Sequence, residues 1–252
     1  SATQPMIIPV TNYYVPDSLE AIGTPFAKRY HRFPNTRQNI NQRDTYRLLA
    51  GMRGNLNNWD WEGAITISEA NAHDITYGRH SMTLLDQALA DTTSAAMNPF
   101  SGGINSNHER ALITEGVHRK NETTLDMLDF KISNPDIFDL PAGPVGMVIG
   151  FEYREESFTD DRDDRLDGTI KYTTNGYTSS GRRNSNLDVT FPYVSDVVNS
   201  SPTPDSYGER DVTSLFAEFQ LPLTSKINAQ LAVRHEDFSD VGTTTVSKFA
   251  AG

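Results

Sequence analysis

The 252-residue sequence contains no cysteine, which excludes a disulfide framework, a thiolate metal site and a cysteine nucleophile. It also lacks any run of about 18 apolar residues, the length that a membrane-spanning helix needs. Basic residues are scarce, since 22 lysines and arginines stand against 33 aspartates and glutamates and the net charge is −11. Binding to nucleic acid requires a clustered basic surface, so this charge balance argues against a nucleic-acid partner.

The beginning of the sequence, SATQPMIIPV, lacks the basic start and the apolar stretch of a secretory signal. We therefore expect that a signal was removed or that the chain is an internal piece of a longer protein. Hydrophobic residues make up 37% of the sequence, which is low for a compact core and ordinary for a protein with long polar loops. A β-barrel membrane protein would show the same absence of long apolar runs, because its strands alternate.

Apolar and polar residues alternate with a period of two along much of the chain, which is the pattern of β-strands whose two faces meet different surroundings. The clearest case surrounds Ile149, where apolar residues at odd positions oppose Glu152, Arg154 and Glu156 at even positions. The same pattern predicts further strands over 44–55, 59–68, 122–133, 212–221, 227–237 and 243–250, and a strand end at Arg29–Phe33.

Short and long connections between these strands tend to alternate. The long ones are Asn71–Lys120 and Phe158–Arg210, whereas Asn55–Asn58 and Leu223–Lys226 are short. An up-and-down sheet then has tight turns at one end and large loops at the other, as transmembrane barrels do. Within the first long loop, the spacing of Met82, Leu85, Ala88 and Leu89 predicts a short helix. The apolar stripe of this helix would pack against the barrel rim or the surrounding loop. Alternatively, it would bind a partner.

Alternation is compatible with two kinds of protein. In a soluble sandwich the apolar face is buried in a core, and in a membrane barrel it meets lipid. Three features favour lipid: apolar runs of about nine to eleven residues that could cross a bilayer, aromatic residues at strand ends, and charges of both signs on the polar face. The aromatic residues are Trp59, Trp61, Tyr153, Phe158 and Phe238. The alternative is a soluble, secreted all-β binding protein, for example one that binds carbohydrate.

Five stretches of the sequence carry motifs that occur together in one protein family. They are GMRGNLNNWDWEGAITIS, MNPFSGGIN, LPAGPVGMVIGFEYREESF, FAEFQLPL and LAVRHEDFSDVGTTTVSKFA. In these motifs and in their order the chain, from about Arg29 onward, resembles the TonB-dependent outer-membrane receptors. It departs from the family pattern at Phe238, where tyrosine is usual, and at Val246-Ser247, where a proline is common before Lys248.

The resemblance implies an all-β fold of antiparallel up-and-down strands, about eight in number, with a short helix in an extracellular loop. Residues 1–252 would then form one partial transmembrane β-barrel, with the plug domain, the TonB box and the first and last barrel strands absent. The implied location is the outer membrane of a Gram-negative bacterium. The implied function is energised uptake of a scarce nutrient, such as a ferric siderophore, a cobalamin-like molecule or an oligosaccharide. The implied partners are outer-membrane lipid and, through the plug, a TonB-type energy-transducing protein.

The resemblance and the strand phase together indicate which residues would meet the ligand. The loops Asn71–Lys120 and Phe158–Arg210 would capture it on the outer face. Charged residues in the polar phase would line the passage or contact the plug. These are Arg47, Glu152, Arg154, Glu218 and Arg234.

No residue pattern points to catalysis. The acidic run Thr159–Gly168 is the best candidate for a calcium site, but Arg165 occupies a ligand position, and the run is more typical of a solvated loop. The adjacent Glu155 and Glu156 would point to opposite faces of a strand, which prevents a paired-carboxylate mechanism. The six histidines have no metal-binding spacing. We therefore expect no enzymatic function, no cofactor and no bound metal.

Overall fold

A computed structural model describes residues 6–22, 26–100, 106–170, 172–173, 188–189 and 195–252. The chain is mostly β-structure. Its strands are β1 Met6–Pro9, β2 Phe26–Arg29, β3 Gln38–Leu56, β4 Trp59–Tyr77, β5 Val117–Asn134, β6 Asp139–Leu140, β7 Gly143–Pro144, β8 Gly146–Arg162, β9 Tyr172–Thr173, β10 Asp188–Val189, β11 Ser206–Thr224, β12 Ile227–Phe238 and β13 Gly242–Ala251. Its helices are α1 Asp17–Ala21, α2 Met82–Ala90, α3 Asp164–Asp167 and a 3-10 helix Ser106–Ala111.

The chain divides into two compact units. Unit 1 comprises Ser1–Gln42, Ala72–Lys120 and Asp160–Ser206, and unit 2 comprises Arg43–Asn71, Asn121–Thr159 and Tyr207–Gly252. Each unit is described separately below. The parts of the two predicted ligand-capture loops at 101–105, 171, 174–187 and 190–194 lie outside the described residues.

Unit 2 is built on a seven-stranded antiparallel sheet. The strand order within the described residues is β13-β12-β11-β8-β5-β4-β3, so each strand of the sheet lies beside its neighbours in the chain order. The predicted antiparallel up-and-down arrangement is therefore confirmed. The sheet is open, because β13 and β3 each have a single strand neighbour in it, and closure into a barrel stays a prediction.

Tight turns and regular cross-strand pairing set which residues share a face of the sheet. The β3–β4 turn places Asn57 in the left-handed region, with φ 57°, a conformation that asparagine tolerates better than most residues. Between β11 and β12 the register pairs Phe216 with Arg234 and Ala217 with Val233. Successive residues of a strand point to opposite faces. Arg234 and Val233 therefore lie on opposite sides of the sheet.

The described strands correct the predicted boundaries in two places. The predicted strand end at Arg29–Phe33 is wrong beyond Arg29, since β2 pairs with β1 and residues 30–37 have no regular structure. Pro34, which has no backbone N–H, interrupts strand pairing there. The strands of the sheet also reach further than predicted: β4 continues to Tyr77 and β5 begins at Val117. Neither extension has a consistently apolar face, so the alternation that identifies a strand is missing.

Unit 1 has a small apolar core around α2. Leu85, Ala88 and Leu89 of this helix are buried against Met6 and Met97. The prediction of a short helix is confirmed, and the burial of its stripe favours the packing interpretation over partner binding. The other members of this core are Ile8, Val15 and Ala111.

Buried polar side chains hold both ends of α2. At the beginning, Ser81 Oγ accepts a hydrogen bond from the Leu84 N–H at 3.1 Å, and Asp196 Oδ1 accepts one from the Thr83 N–H at 2.7 Å. At the end, the amide of Asn12 donates to the Leu89 carbonyl at 2.8 Å. These bonds satisfy backbone groups that the termini of a helix leave without partners.

Candidate functional site

Three of the five predicted passage-lining residues lie together in unit 2. Glu152 Oε1 accepts hydrogen bonds from Arg154 Nη1 at 2.9 Å and from Arg234 Nη2 at 3.2 Å. Arg234 also donates through Nε to Glu236 Oε1 at 3.0 Å and through Nη2 to Ser214 Oγ at 3.0 Å. The strand phase assigned these residues to the polar side of their strands, and the structure brings them into contact between β8 and β12. Their role in lining a passage stays a prediction.

The network extends along β8 through a second carboxylate. Glu156 lies 2.9 Å from Arg154 Nε and 2.6 Å from Arg210 Nη2. Positive and negative groups thus alternate across three strands, and the carboxylates have partners of opposite charge. We call this surface of unit 2 the charged face. It comprises Glu152, Arg154, Glu156, Arg210, Ser214, Arg234 and Glu236.

An aromatic ring and a glycine support the centre of the charged face. The guanidinium of Arg234 lies 5.8 Å from the ring centroid of Phe216, within the range of a cation–π contact. The Phe216 ring covers Gly150, where an added Cβ would lie 2.1 Å from Phe216 Cζ. A side chain at position 150 would therefore displace the ring that Arg234 packs on.

The other two predicted residues lie apart from this network. Glu218 accepts a hydrogen bond from the side-chain amide of Gln230, whose Oε1 accepts one from Lys248 Nζ at 3.0 Å. Glu218 and Arg234 nevertheless line the same shallow cavity of about 270 Å³. Arg47 is exposed, and no carboxylate among the described residues pairs with it.

The opposite side of the sheet is apolar and exposed. Ile65, Leu215 and Val233 are 53%, 55% and 44% exposed, whereas the Glu152, Arg154 and Arg234 side chains are only 20%, 22% and 30% exposed. Exposure is thus the reverse of that in a soluble sheet, which covers its apolar side. We call this surface the apolar face. It comprises Leu48, Met52, Ile65, Ile67, Leu128, Phe130, Ile149, Leu215, Leu231, Val233 and Phe249.

The acidic run Thr159–Gly168 is not the solvated loop that its composition favoured. Asp160 and Asp163 are buried, with 4% and 1% exposure. Arg119 donates two hydrogen bonds of 2.7 and 2.9 Å to the Asp160 carboxylate, and Arg162 donates further bonds to the same carboxylate. Asp163 accepts a bond from the Arg165 backbone N–H at 3.0 Å. Arg119 from β5, together with Arg162 and Arg165 from the run, therefore neutralises the two buried carboxylates.

The described residues contain no group of three or more histidine, aspartate or glutamate side chains arranged to hold a metal ion. Within the same residues, no helix has both the length and the apolar character needed to cross a membrane.

A cavity of about 500 Å³ in unit 1 was not predicted from the sequence. Three segments line it, 31–37, 78–80 and 198–199. It brings together Arg32, Arg37 and Arg79, which are distant in the chain. The signal that could have found it is a pair of mirrored dipeptides, His31-Arg32 and Arg79-His80, in a chain where basic residues are scarce.

Comparison of the chain with models of known protein families finds no match. Comparison with curated proteins finds no similar protein either.

Proposed function

We propose that the chain is part of the β-barrel of a TonB-dependent receptor in a Gram-negative outer membrane. In this proposal, the receptor takes up a scarce nutrient, such as a siderophore, a cobalamin-like molecule or an oligosaccharide, with energy from a TonB-type partner. The observation that carries the proposal is the reversed exposure of the sheet in unit 2. Apolar side chains are uncovered on one face, and a paired network of charges occupies the other.

The physical basis is the different cost of each face in water and in lipid. An exposed apolar patch of this extent is unfavourable in water, and burying apolar area yields about 25 cal/mol per Å². Lipid supplies that burial without a second protein layer. Meanwhile the arginines and carboxylates of the charged face pair with one another, as expected for a lumen wall.

The soluble binding protein is the second candidate, and the same observation weighs against it. A sandwich would cover Ile149, Leu215 and Val233 with a second sheet at about 10 Å. In unit 2 these side chains are 40%, 55% and 44% exposed. The motif resemblance supports the receptor proposal as well, and it also suggests the passage-lining role for Arg47, Glu152, Arg154, Glu218 and Arg234.

The test uses single-cysteine variants, which the cysteine-free sequence makes clean. Leu215→Cys and Val233→Cys place a nitroxide spin label on the apolar face, and Glu218→Cys and Gln220→Cys place it on the opposite side of the sheet, the side that carries the charged face. In lipid bilayers we expect the first pair to collide more with oxygen, which partitions into lipid, and the second pair to collide more with a water-soluble nickel complex.

The opposite results would reject the proposal. If labels at 215 and 233 were shielded from both reagents, the apolar face would be a protein core and the soluble candidate would stand. If all four labels met the nickel complex equally, the sheet would not enter the bilayer at all.

A further inference from the structure

The cavity in unit 1 has an unusual charge composition for this protein. Its lining includes Arg32, Arg37 and Arg79, and its described lining residues include no aspartate or glutamate. The whole chain has 33 such acidic residues and a net charge of −11. The described lining of this cavity carries only positive formal charges, whereas the chain as a whole is negatively charged. The cavity is therefore a local region of positive electrostatic potential.

The cavity walls are held in place by backbone contacts. The Arg79 carbonyl accepts a hydrogen bond from the Ile113 N–H at 2.9 Å, and the His80 carbonyl accepts one from the Val198 N–H at 2.9 Å. Gly78 has φ +73°, and a Cβ there would lie 2.4 Å from the Thr36 carbonyl oxygen. This close approach brings the end of β4 against the segment that carries Arg37.

Stacked rings form a further part of the wall. Phe33 and His80 stack with centroids 3.9 Å apart and an interplanar angle of 24°. His31 meets the same Phe33 ring edge-on at 5.4 Å. Packed rings and paired backbone therefore hold the segments that carry the basic residues, so the backbone of the cavity is pre-formed, as ligand sites usually are.

Most other arginines of unit 1 differ from those of the cavity in their partners. Among the described residues, Arg110 pairs with Asp91, Arg119 and Arg162 pair with Asp160, and Arg165 pairs with Asp163. No carboxylate in the described part of the chain pairs with Arg32, Arg37 or Arg79. The chain is rich in carboxylates, yet none of those described pairs with these three neighbouring arginines. Their positive charge is therefore suited to pairing with a negatively charged ligand.

Arg79 is the innermost of the three. Its Nη2 donates to the Val198 carbonyl at 3.3 Å and to Ser200 Oγ. No acceptor for its Nε or Nη1 appears among the described residues. Burial, together with the positive charge of Arg37, lowers the pKa of Arg79 to about 10. The guanidinium thus stays charged at neutral pH, although its surroundings disfavour the charge, and a bound anion would remove that penalty.

We propose that this cavity binds a small anion with two or more negative charges of the carboxylate or phosphate type. Guanidinium groups match the planar oxygen pairs of these anions with two parallel hydrogen bonds. A volume of about 500 Å³ suits a small organic molecule. The proposal concerns unit 1 alone and does not depend on transport or on a membrane location.

The experiment titrates the full chain with pyrophosphate and with succinate by isothermal calorimetry at pH 7.5, without divalent cations. Succinamide, which has the shape of succinate without its charge, is the ligand control. We expect saturable binding of one pyrophosphate per chain, weaker binding of succinate and none of succinamide. Arg79→Gln should weaken pyrophosphate binding by about 10- to 100-fold, because a charged hydrogen-bond donor is lost.

The matched control is Arg53→Gln, which removes an exposed arginine of unit 2 and should leave binding unchanged. If Arg79→Gln fails to give the circular dichroism spectrum of the parent chain, the double variant Arg32→Gln/Arg37→Gln, at two exposed arginines, carries the same test. The proposal is overturned if pyrophosphate shows no saturable binding, or if the cavity variants bind it as tightly as the parent. Equal weakening by Arg53→Gln would also overturn it, because the attraction would then be diffuse.

Discussion

Asp91, the residue that follows α2, shows how single side chains stabilise the loops of unit 1. Its Oδ1 accepts hydrogen bonds from the Thr93 hydroxyl at 2.7 Å and from the Thr93 backbone N–H at 2.8 Å, and its Oδ2 accepts one from Arg110 Nη1 at 2.8 Å. These bonds, in that order of importance, lower the pKa of Asp91 to about 2. All three are stronger to the ionised carboxylate than to the protonated acid.

We predict that Asp91 titrates near pH 2 in the folded chain, against its ordinary value of 3.8. Because the folded-state pKa is depressed, its contribution to stability is complete above about pH 4 and disappears as the pH falls through about 2. Carbon-13 chemical shifts of the carboxyl group measure this directly. Thr93→Ala and Arg110→Gln should each raise the pKa of Asp91, because each removes a hydrogen bond to the carboxylate. A titration near 3.8 in the parent chain would contradict the prediction.

At the residue scale, the strand phase predicts contacts on the charged face and misses those in the loops. Glu152, Arg154 and Arg234 could be grouped because alternation assigns them to one face, and paired strands bring one face together. The burial of Asp163 and the convergence of Arg79 with Arg37 depend on how non-periodic segments fold back. Neighbouring residues in the sequence carry no information about that folding.

The pair of strands β8 and β11 is held in register by a ring on a glycine. Phe216 of β11 covers Gly150 of β8, and the guanidinium of Arg234 lies over the same ring. Glycine in the interior of a β-strand lowers the stability of the strand, because it has no side chain to pack. Here the missing side chain provides the space in which the aromatic ring lies.

We predict that Gly150→Ala destabilises the fold by about 1–3 kcal/mol, the usual range for overpacking at a closed site. Gly208→Ala is the matched control, because nothing lies within 4 Å of a Cβ added in that part of β11. It should change the free energy of unfolding by less than about 0.5 kcal/mol. Guanidinium unfolding in detergent micelles, followed by circular dichroism, measures both. Equal midpoints for the two variants would refute the role of the stack.

At the element scale, the sequence pattern predicts that the strands of the sheet exist and that they are strands. It does not predict how long they are. The strands of the sheet coincide with the segments of strict alternation, and α2 coincides with its predicted stripe. The end of β4, through Asp74 to Tyr77, alternates poorly because neither side is consistently apolar. The predicted strand end at Arg29–Phe33 fails differently, since only Arg29 belongs to a strand, and that strand, β2, pairs with β1 outside the seven-stranded sheet.

For the molecule as a whole, the uncovered apolar face is the feature with the largest consequence in solution. We predict that the chain aggregates in buffer without detergent and gives a monodisperse, β-rich form in detergent micelles. The double variant Leu215→Gln/Val233→Gln should reduce aggregation in buffer, whereas Gln220→Glu on the opposite face should not. Light scattering and circular dichroism follow these outcomes. A monomer in plain buffer with a cooperative melt would contradict the prediction and the lipid-facing interpretation.

The order of the strands in unit 2 also has a consequence for how such a protein arises. Each strand of the sheet pairs only with the strands before and after it in the sheet's chain order, and β11, β12 and β13 follow one another through tight turns. A hairpin can therefore be duplicated or lost at either edge without rerouting the remaining chain. The same locality lets the sheet grow hairpin after hairpin, because each strand pairs with its neighbours in the chain order of the sheet.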